Sequence, residues 1–160
     1  MRNWDKRCRE IAYLLNPAFC AGIIFETITS YYNEKKQQFP FPLVYLVLPI
    51  VLHKKTRESI NSRTHMKVFL QRNPECLVGF AERAKDLVVI TNESLEFLLK
   101  CNIIRFKNGT LEVQGLLKKK LQNTMDDEIV DCYKKANSIG KWFARNGMVE
   151  NIYQCWGVRP

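Results

Sequence analysis

The sequence predicts a mainly α fold: a single helical domain over residues 1–160, with one β-hairpin and a winged-helix-like central unit at about residues 73–113. Three observations predict it. An uncharged run covers residues 39–52, apolar residues recur at helical spacing through most of the remaining chain, and an Asn-Gly pair separates two short alternating stretches. Hydrophobic residues make up 46% of the chain and charged residues 26%, as in ordinary globular proteins, so we do not expect disorder.

The uncharged run, residues 39–52, is predicted to be the centre of the fold. A membrane-spanning helix needs about 20 apolar residues, so this run is too short to cross a bilayer. A helix that is apolar on all sides lies either at the centre of a fold or beneath a partner. Pro42 suits a first helical turn, whereas Pro49 removes the bond to the Tyr45 carbonyl and should kink or split the helix. We therefore predict a kinked central helix around which the other elements pack.

The elements before and after this run are also predicted to be helices. Asn16 and Pro17 form a helix start, because asparagine caps well and proline fits the first helical position. This helix should run to about Asn33, with Ser30 among its outward-facing residues. Shorter helices are predicted before it and after the central run, over residues 7–15, 56–60 and 63–71.

Two further helices are predicted ahead of the hairpin. Asn73 and Pro74 repeat the earlier start signal and predict a helix that ends near Val89. Thr91 is then predicted to cap a shorter helix over residues 92–100.

The hairpin follows from its turn. An Asn-Gly pair is favoured in two-residue hairpin turns, since both positions need positive φ. Placing the turn at residues 108–109 pairs Phe106 with Leu111, Arg105 with Glu112, and Ile104 with Val113. Alternation then puts the apolar residues on one face and an Arg–Glu cross-strand ion pair on the other.

The C-terminal part of the chain is predicted to be helical again. A basic amphipathic helix should cover residues 116–122. Thr124 and Asp127 form a capping pattern that opens the longest helix, which the Asn-Gly pair at 146–147 ends. A last short helix is predicted over residues 149–156.

The order of elements over residues 73–113 is that of a winged-helix unit, with the hairpin as the wing. In the DNA-binding form, the helix before the wing enters the major groove and exposes basic or amide side chains. Here that helix exposes Glu93 and Glu96, with Lys100 only at its end. Phosphates would repel these carboxylates, so we predict a protein-docking or structural unit.

The net charge of +9 is the one unusual feature of the composition. Positive residues concentrate between residues 53 and 72, and a second cluster covers residues 118–120. Such patches suit nucleic acid or an acidic protein partner, although most are only solvated faces. The predicted patch consists of Lys54, Lys55, Arg57, Arg63, Lys67 and Arg72.

No motif points to catalysis, a cofactor or a metal. The six cysteines lie among apolar neighbours without a CxxC spacing, which indicates buried thiols in a reducing compartment. Phosphate-loop, serine-hydrolase and zinc-protease motifs are lacking. His53 beside Thr56, Arg57 and Glu58 forms a conceivable catalytic cluster, but a histidine that stabilises the carbonyls at a helix end explains it better. The N-terminus does not look like a signal peptide, so we expect a cytoplasmic protein.

Several runs of residues are specific enough to compare with a family. They are Asn16-Pro17-Ala18-Phe19-Cys20, Pro40-Phe41-Pro42-Leu43, Leu48-Pro49-Ile50-Val51-Leu52-His53-Lys54, Thr56-Arg57-Glu58, Gly140-Lys141-Trp142-Phe143-Ala144-Arg145, Ile152-Tyr153 and Gly157-Val158-Arg159-Pro160. Together these runs resemble the middle component of bacterial three-component ABC systems. One departure is Lys55, where many relatives are expected to carry proline.

The resemblance implies a small accessory protein of an anti-phage conflict system, which acts beside an ABC/SMC-like ATPase and a larger effector protein. The chain would couple the ATPase to the effector as a non-catalytic adaptor, without a cofactor or a membrane contact. A different hypothesis, based on the residues themselves, is a winged-helix nucleic-acid binder or regulator that uses the patch at residues 54–72. A weaker third alternative is a small toxin-like enzyme.

Partner contacts are predicted at aromatic and arginine residues, which anchor many protein interfaces. A fold of 160 residues has room to cover the central helix but not every aromatic near it as well. We therefore predict an interface at or beside the C-terminal segment, made by Phe39, Phe41, Trp142, Arg145, Tyr153, Trp156 and Arg159. The alternative is that the C-terminal residues belong to the core.

Overall fold

A computed structural model describes residues 15–117 and 126–159. The helix predicted at 7–15, most of the one predicted at 116–122, the cluster at 118–120 and the cap Thr124 lie outside these residues. The described elements confirm the mainly α prediction. In chain order they are α1 (Pro17–Lys35), β1 (Phe39–Pro40), α2 (Val44–Val51), α3 (Lys54–Ser59), α4 (Met66–Arg72), α5 (Phe80–Asp86), α6 (Val88–Lys100), β2 (Ile104–Lys107), β3 (Thr110–Val113), α7 (Asp127–Arg145) and α8 (Val149–Cys155).

Helix α2 is the centre of the fold, as predicted. It packs against α1, α3, α5, α6 and α7, and Tyr45 is its only residue that is not fully buried. The helix is not split at Pro49, because it continues to Val51 and the Leu52 N–H still donates to the Leu48 carbonyl at 2.9 Å. Proline in the last turn removes one backbone hydrogen bond. Burial of each large apolar neighbour stabilises the fold by about 1.5–3 kcal/mol, which offsets that loss.

Helices α1 and α7 run side by side in parallel. Gly22 faces Tyr133 near the start of both helices, and Arg145 pairs with Glu34 at 2.7 Å near their ends. The Asn16 side chain caps α1 as predicted, by accepting from the Ala18 N–H at 2.8 Å. The corresponding cap of α7 is Asp126, which accepts from the Glu128 N–H at 3.1 Å.

Polar side chains and a glycine make the contact between α1 and α7 close. Ser30 donates to the Asn137 carbonyl at 2.7 Å, and Thr27 donates to the Ala136 carbonyl at 3.3 Å. Gly140 allows this approach because it carries no side chain. The outward orientation predicted for Ser30 is wrong: Ser30 is buried in the helix contact.

The hairpin has the predicted register throughout, with Arg105 opposite Glu112 and Phe106 opposite Leu111. Asn108 and Gly109 both have positive φ, 51° and 74°, as the turn requires. The sheet also has a strand that was not predicted, β1, which pairs antiparallel with β3 and gives the strand order β1-β3-β2.

The winged-helix prediction for residues 73–113 is not confirmed, since β1 completes the sheet from outside the unit. The helix predicted from Asn73 to Val89 is divided into a 3-10 turn at Pro74–Leu77 and α5, because Gly79 has a φ of 65° between them. Thr91 does not begin a helix. It lies buried inside α6, where its hydroxyl donates to the Leu87 carbonyl at 2.8 Å.

Candidate partner interface

Most of the predicted interface aromatics are core residues. Phe39, Trp142, Tyr153 and Trp156 are all buried, and Phe39 and Trp156 are completely inaccessible. A buried side chain cannot touch a partner while the fold is intact. We therefore correct the prediction and assign these residues to the core.

Specific hydrogen bonds attach the C-terminal segment to the rest of the fold. Trp142 Nε1 donates to the Thr64 carbonyl at 2.6 Å, and the Tyr153 hydroxyl donates to the Pro42 carbonyl at 2.5 Å. Burial raises the pKa of Tyr153 from 10 to about 12, as expected for a hydroxyl held in the core. Tyr153 thus ties the segment to the residues just before α2, and Trp142 ties α7 to the loop before α4.

Phe41, Tyr45 and Phe106 form a partly exposed group, which we call the aromatic surface cluster. The Phe41 ring meets both other rings edge to face, with centroids 5.7 Å from Tyr45 and 5.2 Å from Phe106. Phe106 is 52% exposed, and the Tyr45 hydroxyl donates to Asn92 Oδ1 at 2.9 Å. Of the predicted interface aromatics, Phe41 alone remains partly exposed.

The sequence pattern places Phe106 on the apolar face of the hairpin but does not connect it with Phe41. The two rings meet because the Phe41 N–H donates to the Gly109 carbonyl at 2.9 Å, beyond the end of β1. A two-residue strand that contains proline leaves almost no alternation for a pattern to detect. The only sequence feature that marked Phe41 was therefore the uncharged run at residues 39–52, in which it lies.

The two predicted interface arginines differ in their surroundings. Arg145 Nε donates to Glu34 Oε1 at 2.7 Å and so ties the end of α7 to the end of α1. Arg159 is exposed. An interface role stays a prediction for both.

The basic patch is exposed except at one position. Lys54, Lys55, Arg63, Lys67 and Arg72 face solvent, and Lys54 forms a weak pair with Glu58 at 3.8 Å. Arg57 does not belong to this surface, because it is 2% exposed. The predicted patch is therefore corrected to the five exposed cations.

Arg57 is a buried link between α3, the end of α2 and the first turns of α7. Its guanidinium donates to the Val51 carbonyl at 3.0 Å, forms an ion pair with Glu128, and has Nε 3.3 Å from Asp131. A buried guanidinium needs such partners because an unpaired buried charge is strongly destabilising. The role of Arg57 is therefore structural.

A polar cleft of about 620 Å³ lies beside α3, and His53 lines it together with Lys55, Glu58, Ser59, Glu75, Cys76, Val78 and Arg83. His53 Nδ1 lies 2.8 Å from the Thr56 hydroxyl. Thr56 is completely buried, so its hydroxyl is not open to a substrate. The geometry therefore gives the conceivable catalytic cluster no accessible nucleophile at Thr56.

His53 stands directly after Leu52, the C-cap of α2, at the helix end where its role was predicted. The residue stands at the N-cap position of α3, and burial lowers its pKa, with a further contribution from the positive charge of Arg83. A neutral imidazole does not stabilise helix carbonyls as a cation would. The position of His53 agrees with the helix-end interpretation, whereas its lowered pKa disfavours the charged form that the role uses, so the role stays a prediction.

Within residues 15–117 and 126–159, no group of three or more histidine, cysteine or acidic residues could hold a metal ion. None of the helices in the same ranges has the length and apolar character needed to cross a bilayer.

Comparison with known proteins places the chain in a family. Residues 4–160 match the family model described as ABC-three component (ABC-3C) system Middle Component 3. No curated protein and no solved structure matches the chain. The match covers nearly the whole sequence, and the chain therefore belongs to the Middle Component 3 family of ABC-three component systems.

Proposed function

We propose that the chain is a non-catalytic adaptor that couples the ABC/SMC-like ATPase of its system to the effector component, in the cytoplasm and in anti-phage defence. Family membership supports a role beside other components, since the family is defined by a three-component system. The observation that carries the adaptor role is the aromatic surface cluster. Aromatic residues are enriched at the energetic centres of protein interfaces.

The cluster has the properties of a docking site. Phe41 is held by the backbone bond to Gly109, and Tyr45 projects from the buried helix α2. A ring held in this way loses little conformational entropy when a partner covers it. The exposed part of Phe106 then provides apolar surface that a partner would remove from water.

The adaptor hypothesis is tested by co-expressing the chain with the ATPase and effector encoded beside it, and by capturing the chain from the lysate. We expect both components to co-purify with the wild-type chain. Phe106→Ala should weaken capture of at least one component about tenfold or more, the effect of removing an interface anchor. Val78→Ala is the matched control, because Val78 is 74% exposed and lies outside the cluster.

Two results would contradict the hypothesis. One is that the wild-type chain captures neither component. The other is that the Phe106 and Val78 variants capture both components equally well. Thermal unfolding of both variants should match that of the wild type, which confirms that any loss of capture comes from the surface and not from unfolding.

A second candidate function is weak binding to nucleic acid through the corrected basic patch. Its support is the set of exposed cations on α3, on α4 and between them. The charged residues of α6 are Glu93, Glu96 and Lys100, and Lys100 pairs with Glu96 at 2.5 Å, so the helix before the hairpin has no excess of positive charge for phosphates. That helix is unsuited to the major groove, and any binding would depend on phosphate contacts alone.

A further inference from the structure

Strand β2 forms one edge of the sheet. The strand order is β1-β3-β2, so β3 is central and bonds to both neighbours. Among the residues that the structure describes, no strand pairs with the outer side of β2. An edge strand presents unpaired N–H and C=O groups and can accept another strand.

The hydrogen bonds identify which backbone groups face outward. Residues opposite each other in antiparallel strands alternate between bonded and non-bonded pairs. The Gln114 N–H donates to the Ile103 carbonyl at 2.9 Å, so the bonded pairs continue at Arg105 with Glu112 and at Lys107 with Thr110. Ile104 and Phe106 therefore direct their N–H and C=O groups away from β3. Ile104 is 2% exposed and Phe106 is 52% exposed, so Phe106 is the residue that can offer these groups to a partner.

A second bond confirms this alternation from the other side of the sheet. The Phe41 N–H donates to the Gly109 carbonyl at 2.9 Å, which makes Phe39 and Leu111 a bonded pair of β1 and β3. Leu111 thus turns its backbone groups toward β1. Phe106, opposite Leu111, must turn its own groups to the outer edge.

The side chains of β2 alternate in chemistry. The Phe106 ring lies on the face that carries the aromatic surface cluster. Arg105 and Lys107 lie exposed on the opposite face, which they share with Glu112. Glu112 pairs with Arg105 at 2.5 Å, so Lys107 is the cation of that face left without this carboxylate, and the three side chains together carry one net positive charge. A strand added beside β2 would meet an apolar neighbour on one face and positive charge on the other.

We infer that the outer edge of β2 receives an extended segment of a partner protein in which an apolar residue stands between two acidic ones. Its backbone would bond to Phe106, its apolar side chain would cover the Phe106 ring, and its carboxylates would face Arg105 and Lys107. The assignment of the occupant to a partner component rests on the proposed adaptor function.

A second copy of this chain is a poorer occupant. If two β2 strands paired antiparallel about Phe106, Arg105 of one copy would stand opposite Lys107 of the other. Like charges placed directly opposite destabilise strand pairing, and positive side chains on edge strands discourage contact between such edges. The charge of the edge therefore selects an acidic strand.

The test measures binding of synthetic peptides to the full-length protein. The probe is a short acetylated peptide in which valine and glutamate alternate, and its control alternates valine with lysine. We expect the glutamate peptide to bind and the lysine peptide to bind at least about tenfold more weakly. Amide exchange should slow at Phe106 when the glutamate peptide is bound.

Two N-methylated peptides separate strand addition from simple charge attraction. One is methylated at every valine and the other at every glutamate. A strand bonds to an edge through alternate residues, so one form should lose binding and the other should keep it. Equal affinity of the two forms would overturn strand addition.

Variants of the protein test the same contacts. Lys107→Glu should reduce binding of the glutamate peptide about tenfold and improve binding of the lysine peptide. Phe106→Pro removes an N–H that the hairpin does not use, so it should bind about tenfold more weakly than Phe106→Ala, which keeps that N–H. Unchanged binding by both Lys107→Glu and Phe106→Pro would overturn the inference.

The peptide experiment tests strand addition, and the capture experiment tests the adaptor function, so a negative result in one leaves the other proposal standing. If the wild-type chain captures both components but the peptides do not bind, strand addition is wrong and the adaptor function stands. If the glutamate peptide binds in the expected way but the chain captures no component, the docking edge stands and its assignment to those components is wrong.

Discussion

Gly140 on α7 lies against the carbonyl oxygen of Thr27 on α1. A Cβ atom built on Gly140 would stand 2.5 Å from that oxygen and 2.7 Å from the Cβ of Ser30. Real Cβ atoms do not approach other atoms so closely, and a backbone oxygen in a helix has little freedom to move. Gly140 therefore sets the distance between the two longest described helices.

Gly140→Ala should destabilise the protein by about 1–3 kcal/mol, because the added methyl group forces α1 and α7 apart. In a helix interior without this contact, glycine to alanine would stabilise the helix by about 1 kcal/mol. The sign of the change in the free energy of unfolding therefore shows whether the close contact exists. Urea unfolding measures this change. The exposed neighbour Lys141 provides a control, since Lys141→Ala should stay within about 0.5 kcal/mol of the wild type. A more stable Gly140→Ala protein would contradict the close contact.

Arg57→Leu should lower the free energy of unfolding by about 2–4 kcal/mol, because Glu128 and Asp131 lose their buried partner. This loss of stability should be smaller than the loss on breaking a fully buried ion pair, because the side chains of Glu128 and Asp131 keep 44% and 36% of their exposure. Lys54→Leu, at an exposed position of the same helix, is the control and should change stability little. Equal stability of the two variants in urea would refute the structural role of Arg57.

The hairpin shows what local sequence can predict. Its turn residues, its alternation and its charge pair all lie within ten residues, from Ile104 to Val113, and all three indicate one register. The central position of α2 was predictable for a similar reason, because a helix without a charged side has no face to turn to water.

Arg57 shows what the sequence could not predict. Its surroundings in sequence are basic, whereas the carboxylate of Glu128 lies 71 residues away along the chain. The same limit applies to the C-terminal aromatics, because an aromatic residue suits a core and an interface equally well. Only the observed contacts distinguish the two: Tyr153 bonds to the Pro42 carbonyl, and Trp156 packs against Phe80 and Phe69.

The stability of the protein should fall as the pH drops below the usual histidine pKa. Burial, together with the positive charge of Arg83, lowers the pKa of His53 from 6.5 in the folded chain. The unfolded chain therefore binds this proton more readily, so the contribution of His53 is complete above pH 6.5 and is lost as the pH falls through the folded pKa.

Urea unfolding over a series of pH values checks this dependence. His53→Gln should flatten the curve in the window just below pH 6.5. Identical curves for the wild type and His53→Gln would show that burial of this imidazole has no energetic consequence.

Trp156→Ala should destabilise the fold by about 3–5 kcal/mol, as expected for a fully buried tryptophan. The Trp156 ring lies 4.8 Å from the Phe80 ring centroid and 6.5 Å from that of Phe69, so its removal opens a cavity between α8, α5 and α4. Arg159→Ala, three residues further on and exposed, is the control and should unfold at the wild-type urea concentration. A Trp156→Ala protein of normal stability that lost its partners would instead favour the interface first predicted.

Binding of the isolated chain to duplex DNA should be weak, indifferent to sequence and steeply dependent on salt. Each phosphate that a cation neutralises contributes about 0.9 to the slope of log affinity against log salt concentration. Replacing Lys55 and Lys67 with glutamine should therefore lower that slope by up to about 1.8, while Lys85→Gln on α5 should not change it. Fluorescence anisotropy at several salt concentrations measures both slopes. Tight, sequence-specific binding at physiological salt would favour a nucleic-acid regulator over the adaptor, because phosphate contacts alone carry no sequence preference.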